Sequence, residues 1–144
     1  MYYFIIWFLR NLQSCHANVR GVLAGGSDGL LRIEMLSNLC LTDYNLDVLA
    51  LSETHLSSDI DDRVVKISGF EIFRNDRKVN GRQGGGVMLY VRRELNPIRI
   101  TNLEKPEVES LYVQTKLHGK TLIFFVVYRP PNQNCRARDL FLET

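Results

Sequence analysis

Several common chemistries are excluded by what this sequence has little of. Histidine occurs three times in 144 residues, at His16, His55 and His118. Cysteine also occurs three times, at Cys15, Cys40 and Cys135. That number is odd, and the spacing fits neither a zinc motif nor a disulfide framework. Cys15 and Cys40 stand among apolar neighbours and are expected as small core residues. The N-terminal run MYYFIIWFL falls well short of the ~20 apolar residues that a bilayer span needs. No basic segment precedes it and no clear cleavage site follows, so there is no strong membrane signal. A leading edge strand, a weak signal-like segment and sequence ahead of the true start all stay open as readings of it. The glycine-rich stretch at residues 25–29 lacks a Gly-Lys-Ser/Thr ending, which excludes a nucleotide phosphate loop. Net charge is only +2, from 18 basic and 16 acidic residues. That balance does not by itself identify a nucleic-acid partner.

What is present is a globular composition, 45% hydrophobic and 24% charged, in a chain of one domain at most. Charge is unevenly placed. Residues 43–62 hold six acidic side chains and no basic one, and residues 74–99 hold seven basic and two acidic. One region can hold a cation and the other can meet phosphates, or both are ordinary solvated faces. The organising stretch is Leu46-Asp47-Val48-Leu49-Ala50-Leu51-Ser52, followed by Glu53-Thr54-His55. A near-continuous apolar run predicts a strand covered on both faces. Glu53 then falls at the carboxyl end of the strand, where open α/β sheets place ligand chemistry.

The remaining pattern predicts a short strand at 13–17 and an amphipathic helix at 30–41 with Asp28 near its start. Helix and flanking strands make a β-α-β unit, so the two strands are expected as neighbours. Residues 56–65 read as a polar surface connection, and 67–73 and 87–91 as strands. Residues 95–108 read as a loop. Residues 109–117 and 121–128 read as a hairpin turning at His118-Gly119. Pro130-Pro131 ends its second strand, and 136–144 begins a helix.

Five ordered segments resemble one family. They are Asn18-Val19-Arg20, Leu49-Ala50-Leu51-Ser52-Glu53-Thr54-His55-Leu56, Gly69-Phe70 with Phe73-Arg74-Asn75-Asp76-Arg77, Gly84-Gly85-Gly86-Val87, and Val127-Tyr128-Arg129-Pro130-Pro131. Together they resemble the endonuclease/exonuclease/phosphatase superfamily, and more narrowly the abasic-endonuclease-like domain of non-LTR (LINE-type) retrotransposons. The resemblance implies an α/β fold, the N-terminal half of a two-sheet DNase-like sandwich, mostly β with one or two covering helices. Residues 1–12 are then an apolar extension, and 13–144 a partial domain truncated at its C-terminus.

The same resemblance implies a divalent-metal-dependent DNA endonuclease that nicks a retrotransposon target, with Mg²⁺ or Mn²⁺ as cofactor. Glu53 matches the metal-ligating acid, since Mg²⁺ prefers hard oxygen ligands. Asn18 matches the amide beside the metal, with Asn11 a poorer fit. Tyr128 matches the phenol that hydrogen-bonds a phosphate oxygen. Arg77, Arg129 and His55 are candidate phosphate contacts. Arg77 is equally a loop-pairing residue, with Asp76 as one partner. Gly84, Gly85, Gly86 and Glu109 are read as structural. No Gly-Asp-Phe-Asn or Ser-Asp-His segment occurs, and no histidine matches a water-activating base. The expectation is a fragment with little activity alone, exposing a sheet face unless the missing C-terminal half or a self-associating copy covers it. DNA is the expected partner, and nucleus or cytoplasm rather than secretion the expected location. The alternatives are a non-catalytic nucleic-acid- or protein-binding remnant acting through residues 74–99, another phosphodiesterase or phosphatase of the superfamily, and a decayed reading frame.

Overall fold

In a computed structural model the chain is described over residues 4–9, 12–25, 31–77 and 84–129. The strands are β1 (Phe4–Leu9), β2 (Leu12–Asn18), β3 (Val48–Ser52), β4 (Phe70–Asn75), β5 (Val87–Arg92), β6 (Ile98–Arg99), β7 (Glu109–Leu117) and β8 (Lys120–Tyr128). One α-helix, α1 (Arg32–Asn38), lies between β2 and β3. The strands form a five-stranded sheet in the order β1-β2-β3-β5-β4 and a three-stranded sheet in the order β6-β7-β8. Among the described residues only β2 and β3 pair in parallel, as the intervening helix requires.

The apolar run of β3 is explained by its two neighbours. Leu49 and Leu51 join a core with Ile33, Leu36 and Cys40, under the helical layer. Val48 and Ala50 face a second core, with Leu111, Val113 and Val126 of the other sheet. β5 repeats the pattern, sending Met88 and Tyr90 to the first core and Val87, Leu89 and Val91 to the second. Each fully buried aliphatic side chain of this kind contributes roughly 1.5–3 kcal/mol. The fold is thus a DNase-like α/β arrangement of two facing sheets with one covering helix. The inter-sheet core corrects the expectation of an uncovered sheet face, because β7 and β8 pack on β3, β4 and β5. Apolar exposure falls instead on the outer face of β8, where Ile123 is 51% and Phe125 63% accessible.

Three further expectations change. The predicted helix at 30–41 is shorter, because after Asn38 the chain widens into a π-type turn over Leu39–Asp43. Tyr44 N–H donates to the Leu39 carbonyl at 3.2 Å, and Asn45 leaves the helix at φ 47°. Asp28 lies outside the described residues, and Glu34 Oε2 accepts from the Leu31 N–H at 2.8 Å instead. The stretch at 56–65 is polar only on its outside, since Leu56 and Val65 are buried and Asp62–Val65 is a 3₁₀ turn. The expected loop at 95–108 contributes β6, which pairs with β7. The hairpin turns as predicted, with His118 at φ 49° and Gly119 at φ 74°. Pro130, Pro131, Cys135 and the start of helix expected at 136–144 lie outside the described residues.

Candidate active site

Parallel β2 and β3 end on the same rim, and antiparallel β5 begins there. Hydrogen bonding continues past the strand ends. Val19 N–H donates to Ser52 O (3.0 Å), Gly21 N–H to Glu53 O (2.7 Å) and Val22 N–H to Thr54 O (2.9 Å). On the other side Thr54 N–H reaches Gly86 O (3.3 Å) and His55 N–H reaches Gly85 O (2.9 Å). Held from both sides, Glu53 and His55 take left-handed backbone conformations, φ 56° and 55°. Such conformations cost a non-glycine residue about 1–2 kcal/mol each. They persist because the neighbouring turns fix them.

This geometry brings together the three residues read as catalytic from the sequence. Tyr128, at the end of β8 in the other sheet, donates its hydroxyl proton to Glu53 Oε1 at 2.7 Å. The Asn18 side-chain amide, at the end of β2, also hydrogen-bonds the Glu53 carboxylate. His55 Nε2 stands 4.0 Å from Glu53 Oε2. Burial pushes the Glu53 carboxyl up. The bonds from Tyr128 and Asn18, with the charges of His55 and Arg20, outweigh it and hold the group below the ordinary glutamate value. Burial also raises the Tyr128 phenol, and the negative charge that it hydrogen-bonds raises it further, with Arg77 opposing. The phenol is therefore a donor and Glu53 an ionised acceptor.

The basic segment behaves differently from its sequence reading. Arg74 is buried against Asp76 and Asp62, at 2.5 and 2.7 Å. Arg77 pairs with Glu109 and not with Asp76. Its guanidinium lies over the Tyr128 ring, 5.7 Å from the centroid. Arg92 and Arg99 are likewise held, by Asn45 and the Leu46 carbonyl and by Glu104. Four of the cations of residues 74–99 are thus engaged inside the fold, and Lys78 and Arg82 lie outside the described residues. Glu109 is a junction, because its second oxygen accepts from Gly86 N–H at 2.7 Å. Gly85 is required by close approach: at φ 74°, a Cβ there would lie 2.2 Å from Arg77 Cζ. Arg129 is exposed at the end of β8.

Two nearby residues had no role assigned from sequence. Arg20 is exposed and close enough to Glu53 for its charge to lower the carboxyl. His16 hydrogen-bonds Ser52 Oγ at 3.3 Å, and burial lowers its imidazole. The two-residue period of a strand puts His16 on the same face as Asn18, a signal that was available.

Asn18 Oδ1 is buried and has no hydrogen-bond partner among the described residues. An unpaired amide oxygen beside a carboxylate held ionised is a donor set that a hard divalent cation accepts. Among the described residues no group of three or more His, Cys, Asp or Glu could hold a metal ion. One carboxylate and one amide oxygen suit a hard cation that keeps several of its waters, as Mg²⁺ does. Among the described residues no helix is long and apolar enough to cross a membrane. No curated protein matches the chain. Residues 15–143, nearly its whole length, match the family profile of endonucleases, exonucleases and phosphatases. The chain belongs to the Endonuclease/Exonuclease/phosphatase family.

Proposed function

We propose that this chain is part of a divalent-metal-dependent DNA endonuclease of the non-LTR retrotransposon type. We propose also that residues 13–144 form the metal- and phosphate-binding part of its domain, residues 1–12 being an added apolar segment. The observation that carries this reading is the convergence of Glu53, Asn18 and Tyr128 from three strands of two sheets. Glu53 and the free Asn18 Oδ1 would hold Mg²⁺ or Mn²⁺. When bound, such an ion neutralises charge on the phosphodiester and on its leaving oxygen.

The protein's own groups do the rest. Tyr128 turns its proton from Glu53 to a non-bridging phosphate oxygen as charge develops there. Asn18 keeps the carboxylate oriented without adding charge. His55, Arg77 and Arg129 contact phosphate. Water activation needs an aspartate–histidine pair, and the sequence has no matching segment. We propose that this pair is supplied by a segment that these 144 residues do not contain, and that the 144-residue chain alone nicks DNA little or not at all. The remnant reading, binding through residues 74–99, is less favoured because Arg74, Arg92 and Arg99 are engaged internally.

Electron paramagnetic resonance of Mn²⁺ titrated with the chain tests the site. The expected result is Mn²⁺ binding that Glu53→Gln weakens at least tenfold, with little nicking of supercoiled DNA. Mn²⁺ binding indifferent to Glu53→Gln refutes the metal site. Metal-dependent nicking that Glu53→Gln abolishes refutes the inactivity.

A further inference from the structure

Arg20 is a strained residue on the rim beside Glu53. Its φ is 45°, in the left-handed region that few side chains adopt. Glycine or asparagine would make the same turn with less strain. A long charged side chain on a backbone that disfavours it points to a use for the side chain.

The turn is fixed from two directions. Val19 N–H donates to Ser52 O and Gly21 N–H to Glu53 O, so Arg20 stands between the two bonds that tie this turn to the end of β3. From α1, Arg32 Nη1 donates to the carbonyls of Arg20 and of Gly21, the latter at 3.0 Å. One arginine therefore holds the backbone under the other. The Arg20 side chain is exposed, and among the described residues it makes no hydrogen bond or ion pair. This sets it apart from Arg74, Arg92 and Arg99, which carboxylates and carbonyls hold inside the fold. Its charge nevertheless reaches Glu53.

A phosphodiester brought to Glu53 sets its own negative charge against a carboxylate held ionised. A cation fixed on the same rim relieves that repulsion. A guanidinium suits the task, with a permanent charge and a planar fork of donors that matches two oxygens of one phosphate. We propose that Arg20 is a further substrate-contact residue of this site, its guanidinium ion-pairing with the phosphodiester that Glu53 faces. The inference rests on the phosphodiester reading for the class of ligand, and it adds a phosphate contact on the β2 side of the rim.

The test uses the full 144-residue chain. Fluorescence anisotropy reads a duplex oligonucleotide in Ca²⁺ buffer over a salt series. Phosphorus-31 NMR reads dimethyl phosphate in the same buffer, and electron paramagnetic resonance reads Mn²⁺. Arg20→Gln is expected to bind the duplex roughly tenfold more weakly, as the loss of one charge-assisted hydrogen bond predicts. The slope of log affinity against log salt should become shallower by about one. Mn²⁺ affinity should stay the same or rise, because a like charge leaves the surroundings of the ion. A residue needed only to shape the rim would lower metal and phosphate affinity together. Arg20→Lys should keep the slope and recover part of the affinity. Arg20→Gly should melt at a higher temperature than the parent yet bind as weakly as Arg20→Gln, and it decides if Arg20→Gln does not fold. Duplex and dimethyl phosphate affinities that Arg20→Gln leaves untouched overturn the contact and leave the DNA reading standing. Mn²⁺ affinity lost in step with phosphate affinity overturns it, as does a parent chain that binds neither probe. Dimethyl phosphate binding that Arg20→Gln weakens, with no duplex binding, keeps the contact and overturns the DNA reading.

Discussion

Replacing Tyr128 by phenylalanine removes one hydroxyl and leaves the ring beneath Arg77 in place. The lost interaction is a 2.7 Å hydrogen bond to an ionised carboxylate. Bonds of that kind contribute roughly 1.5–3 kcal/mol. Glu53 is 21% exposed in its side chain, so water can take over part of the role, and the lower end of the range applies. Unfolding entropy of about 2.1 cal/mol/K per residue turns ~1.5 kcal/mol into a fall of about 5 °C in Tm. The effect should also depend on pH. Glu53 titrates below its unfolded value, so its stabilisation is present above about pH 4.3 and fades as pH falls through the folded value. The gap in Tm between wild type and Tyr128→Phe should therefore be largest near neutral pH and close under acid conditions. Mn²⁺ affinity should stay the same or rise, because the phenol no longer competes for Glu53 Oε1. Calorimetry from pH 3 to 7 with parallel Mn²⁺ titration checks all three. A Tm gap of zero, or one that widens in acid, refutes the pairing of donor and ionised acceptor.

Gly85→Ala places a carbon into the Arg77 guanidinium and strains a backbone at φ 74°, and should cost about 2–4 kcal/mol in urea unfolding. Arg74→Met leaves Asp76, only 16% exposed, without its cation. Breaking a buried pair in this way costs about 3 kcal/mol, and a double variant with Asp76→Asn should recover part of it. The Cys40 thiol is pushed up to about 12, chiefly by burial, and Cys15 is raised by the same cause. In a Cys135→Ser background at pH 8, neither thiol should react with an aromatic disulfide until urea unfolds the chain; rapid labelling of the folded protein would refute the core placement.

The parts of this fold legible from sequence are those where local pattern and burial agree. The run Val48 to Leu51 is apolar throughout because two cores need it, and the β7–β8 hairpin alternates because one of its faces is packed. Glu53, Asn18 and Tyr128 could be singled out through resemblance, but their meeting depends on strand order, which no local pattern encodes. The partner of Arg77 was not legible for the same reason. Asp76 is adjacent in sequence, whereas Glu109 lies 32 positions away and is near only because the sheets face each other. The π-type turn after α1 escaped because apolar spacing continued through Leu39 and Cys40. His16 matches no motif of the family, yet its spacing from Asn18 places both on one face of β2.

The left-handed backbone at Glu53 ties the site to the order in which the molecule assembles. Its carbonyl is gripped by Gly21, and the residues after it by Gly85 and Gly86, all about thirty positions distant. A chain with only β3 and its near neighbours in place has no reason to hold that carboxylate in its native direction. That carboxylate therefore takes its native direction only once β2 and β5 have docked on either side of β3, so the reactive corner is assembled with the sheet itself.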